Sequence, residues 1–127
     1  MDVPPNDLKK VGGAIVFTPC RTAIKDGFRI AKELESLVPY VESHPGCKVI
    51  IDFSNVEYIA SHTIGTLVGL LKRVNAAKGG LRICSLRKTM QEVFGILLLH
   101  RVFEICEDVD EALESLEAAS KKPVIAV

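Results

Sequence analysis

Residues Lys48 to Phe53 read KVIIDF, an apolar run with almost no alternation between apolar and polar positions. A strand with one wet face alternates, because successive side chains point to opposite sides of a sheet. A run without alternation suits a strand covered on both faces, as in a parallel sheet flanked by helices. Ile50 and Ile51 should then face opposite layers. The rest of the chain must supply helices for both sides.

It does so in regular order. Ala14 to Thr18 (AIVFT) reads as a short strand stopped by Pro19. Ile24, Phe28, Ala31, Leu34, Val38 and Val41 then recur at steps of three and four, the stripe of an amphipathic helix. Pro39 lacks an N–H, so this helix should kink or restart there, and Pro45-Gly46 should end it. After the KVIIDF strand, Ile64, Leu67, Val68 and Leu71 form a second helical stripe, closed near Ala77 before Lys78-Gly79-Gly80. Leu81 to Leu86 reads as a strand. Met90, Val93, Phe94 and Leu97 read as a helix, and Arg101 to Cys106 (RVFEIC) as a further strand. Val109, Ala112, Leu113 and Leu116 place a last amphipathic helix. Strands alternating with helices predict an α/β fold: a mainly parallel sheet of four to five strands with about four helices packed against it. A chain of 127 residues suits one domain, with 1–10 as a loose N-terminal arm and 119–127 as a C-terminal tail.

Composition narrows the function classes. Sixteen basic and sixteen acidic residues cancel, so the charge footprint of a nucleic-acid binder is missing, and no direct nucleic-acid partner is expected. The charges are unevenly spread: Lys and Arg dominate from Lys72 to Arg101, acids from Glu104 to Glu117. Cys20, Cys47, Cys84 and Cys106 are scattered, with no C-x-x-C and no histidine at ligand spacing, so neither a metal nor another cofactor is expected. Cys84 reads as a buried structural thiol. The N-terminus has no signal-peptide core, and the apolar stretch from Ile96 to Leu99 is far too short to span a bilayer. A cytoplasmic chain without membrane insertion is the expectation.

The segment from Lys48 to Lys72, KVIIDFSNVEYIASHTIGTLVGLLK, resembles the signature of the STAS family, the module of anti-sigma factor antagonists and of the cytoplasmic tails of sulfate transporters. In that family a buried strand leads through a loop to an Asp-Ser-(Ser/Thr)-Gly-(Leu/Ile)-Gly stretch that opens a helix. Here Asp52-Phe53 ends the strand, Val56 and Tyr58-Ile59 fill the loop's apolar positions, and Ala60-Ser61-His62-Thr63-Ile64-Gly65 occupies the stretch. Val93-Phe94, Leu99 and Arg101-Val102-Phe103-Glu104-Ile105 look like the family's later helix, turn and strand. The resemblance covers roughly residues 14–118. It implies a regulatory module that is not an enzyme and that binds a partner serine kinase acting as an anti-sigma factor. Phosphorylation would fall at Ser61, with any ATP belonging to the partner. Ala60, His62 and Thr63 depart from the family's residues, while Ser61 keeps the hydroxyl. Two other readings stand beside it: a STAS scaffold unit without a phosphorylation cycle, and a regulatory module binding a nucleotide or lipid.

Each candidate residue also has an ordinary structural role. Ser61 is expected at the helix N-cap, where its hydroxyl would accept an N–H two or three residues on, and its loss would cost about 0.5–2 kcal/mol. His62 is expected to face solvent in the first turn, and Thr63 to be an ordinary first-turn residue or a second hydroxyl acceptor. Asp52 is expected to organise the loop by hydrogen bonding. Gly65 and Gly69 share one helix face and serve either internal packing or the docking of a partner helix. His62, Thr63, Gly65 and Gly69 are therefore the candidate partner-interface residues around Ser61.

Overall fold

In a computed structural model that describes residues 8–19, 27–57 and 59–121, five strands form one sheet in the order β1-β2-β3-β4-β5. They are β1 (Leu8–Val11), β2 (Ala14–Phe17), β3 (Lys48–Asp52), β4 (Gly80–Cys84) and β5 (Glu104–Cys106). The helices are α1 (Gly27–Glu35), α2 (Val38–Ser43), α3 (Ser61–Ala76), α4 (Lys88–Ile96) and α5 (Val109–Lys121), with a 3-10 turn at Leu99–Arg101. Strands β2 to β5 run parallel, each paired to the next in sequence. This is the mainly parallel α/β sheet that the alternation of patterns predicts.

The KVIIDF run is the central strand, and its two isoleucines part as expected. Val49 and Ile51 join a large cluster with Ile15, Phe17, Leu81 and Ile83, roofed by Leu34, Leu67, Leu70 and Phe94. Ile50 points the other way, into a smaller cluster with Val16, Cys84, Cys106, Ala112 and Leu116 beneath α5. Cys84 is a fully buried thiol, and burial, with smaller effects from neighbours such as Asp52, pushes its pKa up to about 11. At neutral pH it is protonated and behaves as a small apolar side chain.

Several boundaries differ from the pattern-based reading. Residues 8–10, expected in a loose arm, belong to β1, which pairs antiparallel with β2 from Leu8↔Phe17 to Val11↔Ala14. The intervening Gly12-Gly13 turn has φ of +54° and +86°, the two left-handed positions that a tight hairpin of this length requires. Residues 1–7, Cys20, Ile24 and Tyr58 lie outside the described residues, as does the Phe28 side chain. At the other end, α5 continues to Lys121, so the tail expected from 119 is helical for three residues. Asp108 starts α5: its Oδ1 accepts the Glu111 N–H at 2.9 Å, and Glu111 Oε1 accepts the Glu107 N–H at 2.6 Å.

The helix expected to break at Pro39 is two helices. Ser36-Leu37 interrupts it, and Pro39 sits in the first turn of α2, where its missing N–H costs nothing. The RVFEIC strand is shorter than its pattern. Leu98 takes a left-handed conformation (φ 58°), the 3-10 turn follows, and only Glu104–Cys106 pairs with β4. Gly79 fits a close approach: an added Cβ would lie 2.3 Å from the Cys47 carbonyl oxygen, the same oxygen that accepts the Gly80 N–H at 2.9 Å.

Candidate partner-docking site

Beyond β3 the chain makes a tightly held loop before entering α3. Asp52 Oδ1 accepts the Ser54 N–H at 2.9 Å, the loop-organising role expected of that carboxylate. The Phe53 N–H donates to the Cys84 carbonyl and its own carbonyl accepts the Val56 N–H, both at 3.0 Å. Phe53, Val56 and Ile59 are buried, pinning the loop to the core at three points. From the α4 side, Arg87 Nη1 donates to the Ser54 carbonyl at 3.1 Å, and Thr89 Oγ1 to the Glu57 carbonyl at 3.4 Å. These lacing contacts were invisible in the sequence, where Arg87-Lys88 registered only as local charge.

The helix begins one residue earlier than expected. Ala60 is the N-cap (ψ 156°), with no side-chain cap bond, and Ser61 is the first helical residue. The expectation that Ser61 caps α3 is therefore corrected: the N-cap position belongs to Ala60. Its side chain is exposed and makes no hydrogen bond to another described residue. Ser61→Ala should accordingly change stability by less than about 0.5 kcal/mol, as at ordinary surface positions. A urea midpoint showing a loss of about 1 kcal/mol or more would restore a capping role.

The neighbouring candidates separate by burial. His62 faces solvent as expected, its carbonyl accepting the Thr66 hydroxyl at 3.1 Å. Thr63 is fully buried and is corrected from a partner-interface candidate to part of the face that α3 turns to the core. That face is Thr63, Leu67, Leu70 and Val74, with Ile64, Val68 and Leu71 half-buried at its margin. The arc is rotated from the expected stripe, and the rotation moves the glycines. Gly65 and Gly69 are exposed, and a Cβ added to either would meet nothing within 4 Å. Internal packing does not explain them. Ser61, Gly65 and Gly69 stand four apart on one line of the outer face, which reaches Lys72 and the Arg73–Glu42 ion pair. A mid-helix glycine costs about 0.5–1 kcal/mol relative to alanine, and here it leaves the helix backbone open to close approach.

No group of three or more metal-ligating side chains occurs among the described residues, and no helix among them is long and apolar enough to cross a membrane. Fold and site together define an α/β module that displays one helix N-terminus beyond its central strand. The STAS domain model matches residues 26–112, and the chain belongs to that family. A protein named as an anti-sigma factor antagonist homologue in Thermotoga neapolitana is 31% identical over 70 residues, 55% of this chain and 62% of that protein. The match thus spans about three fifths of the length of the curated relatives. Among solved structures, an RsbS variant of Moorella thermoacetica superposes with a TM-score of 0.77 at 15% identity, covering 96% of this chain and 100% of that one. The anti-sigma factor antagonist SpoIIAA, described in its unphosphorylated form, gives 0.71 at 15% identity, covering 87% and 95%. At these identities the structural likeness shows the shared fold.

Proposed function

We propose that this chain is an anti-sigma factor antagonist whose α3 outer face docks on a partner serine kinase, and that phosphorylation of Ser61 ends the contact. The observation that carries the reading is the exposed Ser61 hydroxyl in the first turn of a sixteen-residue helix, in line with Gly65 and Gly69. A serine buried like Thr63 would be closed to a kinase. A phosphate at the first turn faces the positive end of the helix dipole, so the fold tolerates it. The same phosphate pressed into an interface is a desolvated charge, and the interface is lost.

The chemistry of transfer belongs to the partner, which brings the ATP; this chain supplies the acceptor oxygen. Sigma factors act in the cytoplasm, and the buried free thiols of Cys47, Cys84 and Cys106 suit that reducing compartment. A scaffold unit without a phosphorylation cycle is the second reading. It is favoured by Ala60 at the N-cap and by the burial of Thr63, which change the residues around Ser61. Incubation with the host's serine kinases and ATP, followed by intact mass, separates the two. A gain of about 80 Da that Ser61→Ala abolishes supports the switch. No gain with any of them, alongside a retained protein contact, supports the scaffold.

A further inference from the structure

Two of the buried free cysteines are neighbours. Cys84 ends β4 and Cys106 ends β5, and the parallel register pairs them directly. Both turn to the same face of the sheet, into the small cluster with Val16, Ile50, Ala112 and Leu116 beneath α5. Cys47 lies in the cluster on the opposite face, so no other described thiol competes. Adjacent strands run about 4.7–4.9 Å apart, inside the range of about 4.4–6.8 Å that a disulfide spans between Cα atoms. A disulfide also brings its Cβ atoms to about 3.8 Å. Strand β5 can supply that approach, because it is a three-residue edge strand held by one neighbour.

The two thiols differ in access. Cys84 is 0% exposed, whereas Cys106, 8% exposed, lines an open cleft of about 540 Å³ with Gln91, His100, Glu107 and Glu111. A molecule the size of hydrogen peroxide enters such a cleft easily. From this pairing we infer that Cys84 and Cys106 form a peroxide-responsive dithiol that closes to a disulfide, Cys106 reacting first and Cys84 resolving. The Cys106 thiolate attacks one peroxide oxygen. An S–O bond forms, the O–O bond breaks, and the departing hydroxide takes up a proton and leaves as water. The Cys84 sulfur then displaces the hydroxyl of the sulfenic acid. An S–S bond forms, and the hydroxyl leaves with the Cys84 thiol proton as a second water. Two thiols and one peroxide thus give one disulfide and two waters.

Burial raises the pKa of both thiols, that of Cys84 to about 11, so both rest protonated and the reaction is slow unless peroxide is abundant. A slow pair suits a compartment that keeps thiols reduced, where disulfides are transient and redox-sensing. The bridge forms beside the docking loop: the Cys84 carbonyl accepts the Phe53 N–H at 3.0 Å, and the Cys106 carbonyl accepts the Ser85 N–H at 3.4 Å. It also encloses all of α4 and the Arg87 and Thr89 contacts to that loop. The modification therefore falls at the end of the sheet from which Ser61 is presented.

Hydrogen peroxide treatment of the full folded chain, then alkylation in denaturant, intact mass and peptide mapping, tests this without any kinase. The expected product is about 2 Da lighter before alkylation, carries a linked Cys84–Cys106 peptide, and reverts with dithiothreitol. Cys84→Ala removes the resolving thiol and should leave Cys106 as a sulfenic acid that dimedone traps. Cys106→Ala should leave Cys84 unoxidised. The wild-type map decides the matter should either variant fail to fold. A wild-type chain in which Cys106 goes on to sulfinic acid while Cys84 stays a free thiol overturns the inference, because the two sulfurs then do not meet. So does a bridge through Cys20 or Cys47. A pair that stays reduced under peroxide that oxidises both thiols once the chain is unfolded in urea overturns it too.

Discussion

Ser61→Glu should bind the partner kinase about 100-fold or more weakly than the wild-type chain, while Ser61→Ala binds within about threefold. The contrast follows from where the residue sits. Both variants keep the fold, because Ser61 caps nothing and its side chain is exposed. Glutamate in the first turn of α3 is tolerated or mildly stabilising, since it lies at the positive end of the helix. The two differ only once the surface is covered. A carboxylate buried at an interface without a counter-charge costs several kcal/mol, and each 1.4 kcal/mol is tenfold in affinity. Alanine removes no charge and little area. Titration of both variants against the captured kinase, with melting curves to confirm native stability, reads the contrast directly. Equal affinities would place the helix end outside the interface, and the scaffold reading would then account for the family fold.

Legibility in the sequence followed the strength of the physical signal at each place. The central strand announced itself because burial on both faces leaves Val49, Ile50 and Ile51 consecutively apolar. The break at Pro39 was readable because a missing N–H acts locally. Strand β1 was not, since Leu8-Lys9-Lys10-Val11 carries only two apolar ends and owes its existence to pairing across the Gly12-Gly13 turn. The helix start was missed by one residue. Serine is a far better N-cap than alanine by propensity, but the anchoring of Val56 and Ile59 sets where the chain enters α3, and Ala60 falls at the cap. Which side of α3 holds Gly65 and Gly69 depended on the buried arc. Thr63, a polar residue at 0% exposure, was the member of that arc a hydrophobic pattern could not count. The exposed hydrophobics at 93–102 are hidden for the opposite reason: Val93 and Leu97 share a helical stripe with Met90 and Phe94, but α4 buries only the latter two.

Phe53→Ala should cost about 3–5 kcal/mol of stability, a large share of the total for a domain of this size. Phe53 is among the largest fully buried side chains, in the cluster between the sheet and α1–α4. Truncation loses the transfer free energy of the ring and leaves a cavity, and the backbone on either side is held too firmly to collapse into it. Its N–H is tied to Cys84 in β4 and its carbonyl to Val56 in the loop. With a urea dependence of about 1–3 kcal/mol per molar for small proteins, the midpoint should fall by roughly 1–5 M. Phe53→Leu, which refills much of the volume, should recover most of the loss. Because Phe53 also joins the central strand to the loop that delivers Ser61, the alanine variant should lose partner affinity even under conditions where it remains folded. The leucine variant should keep it. A midpoint unchanged by the alanine substitution would mean that the loop is not anchored through this ring. The position of Ser61 would then have to be set by Val56, Ile59 and the contacts from Arg87 and Thr89 alone.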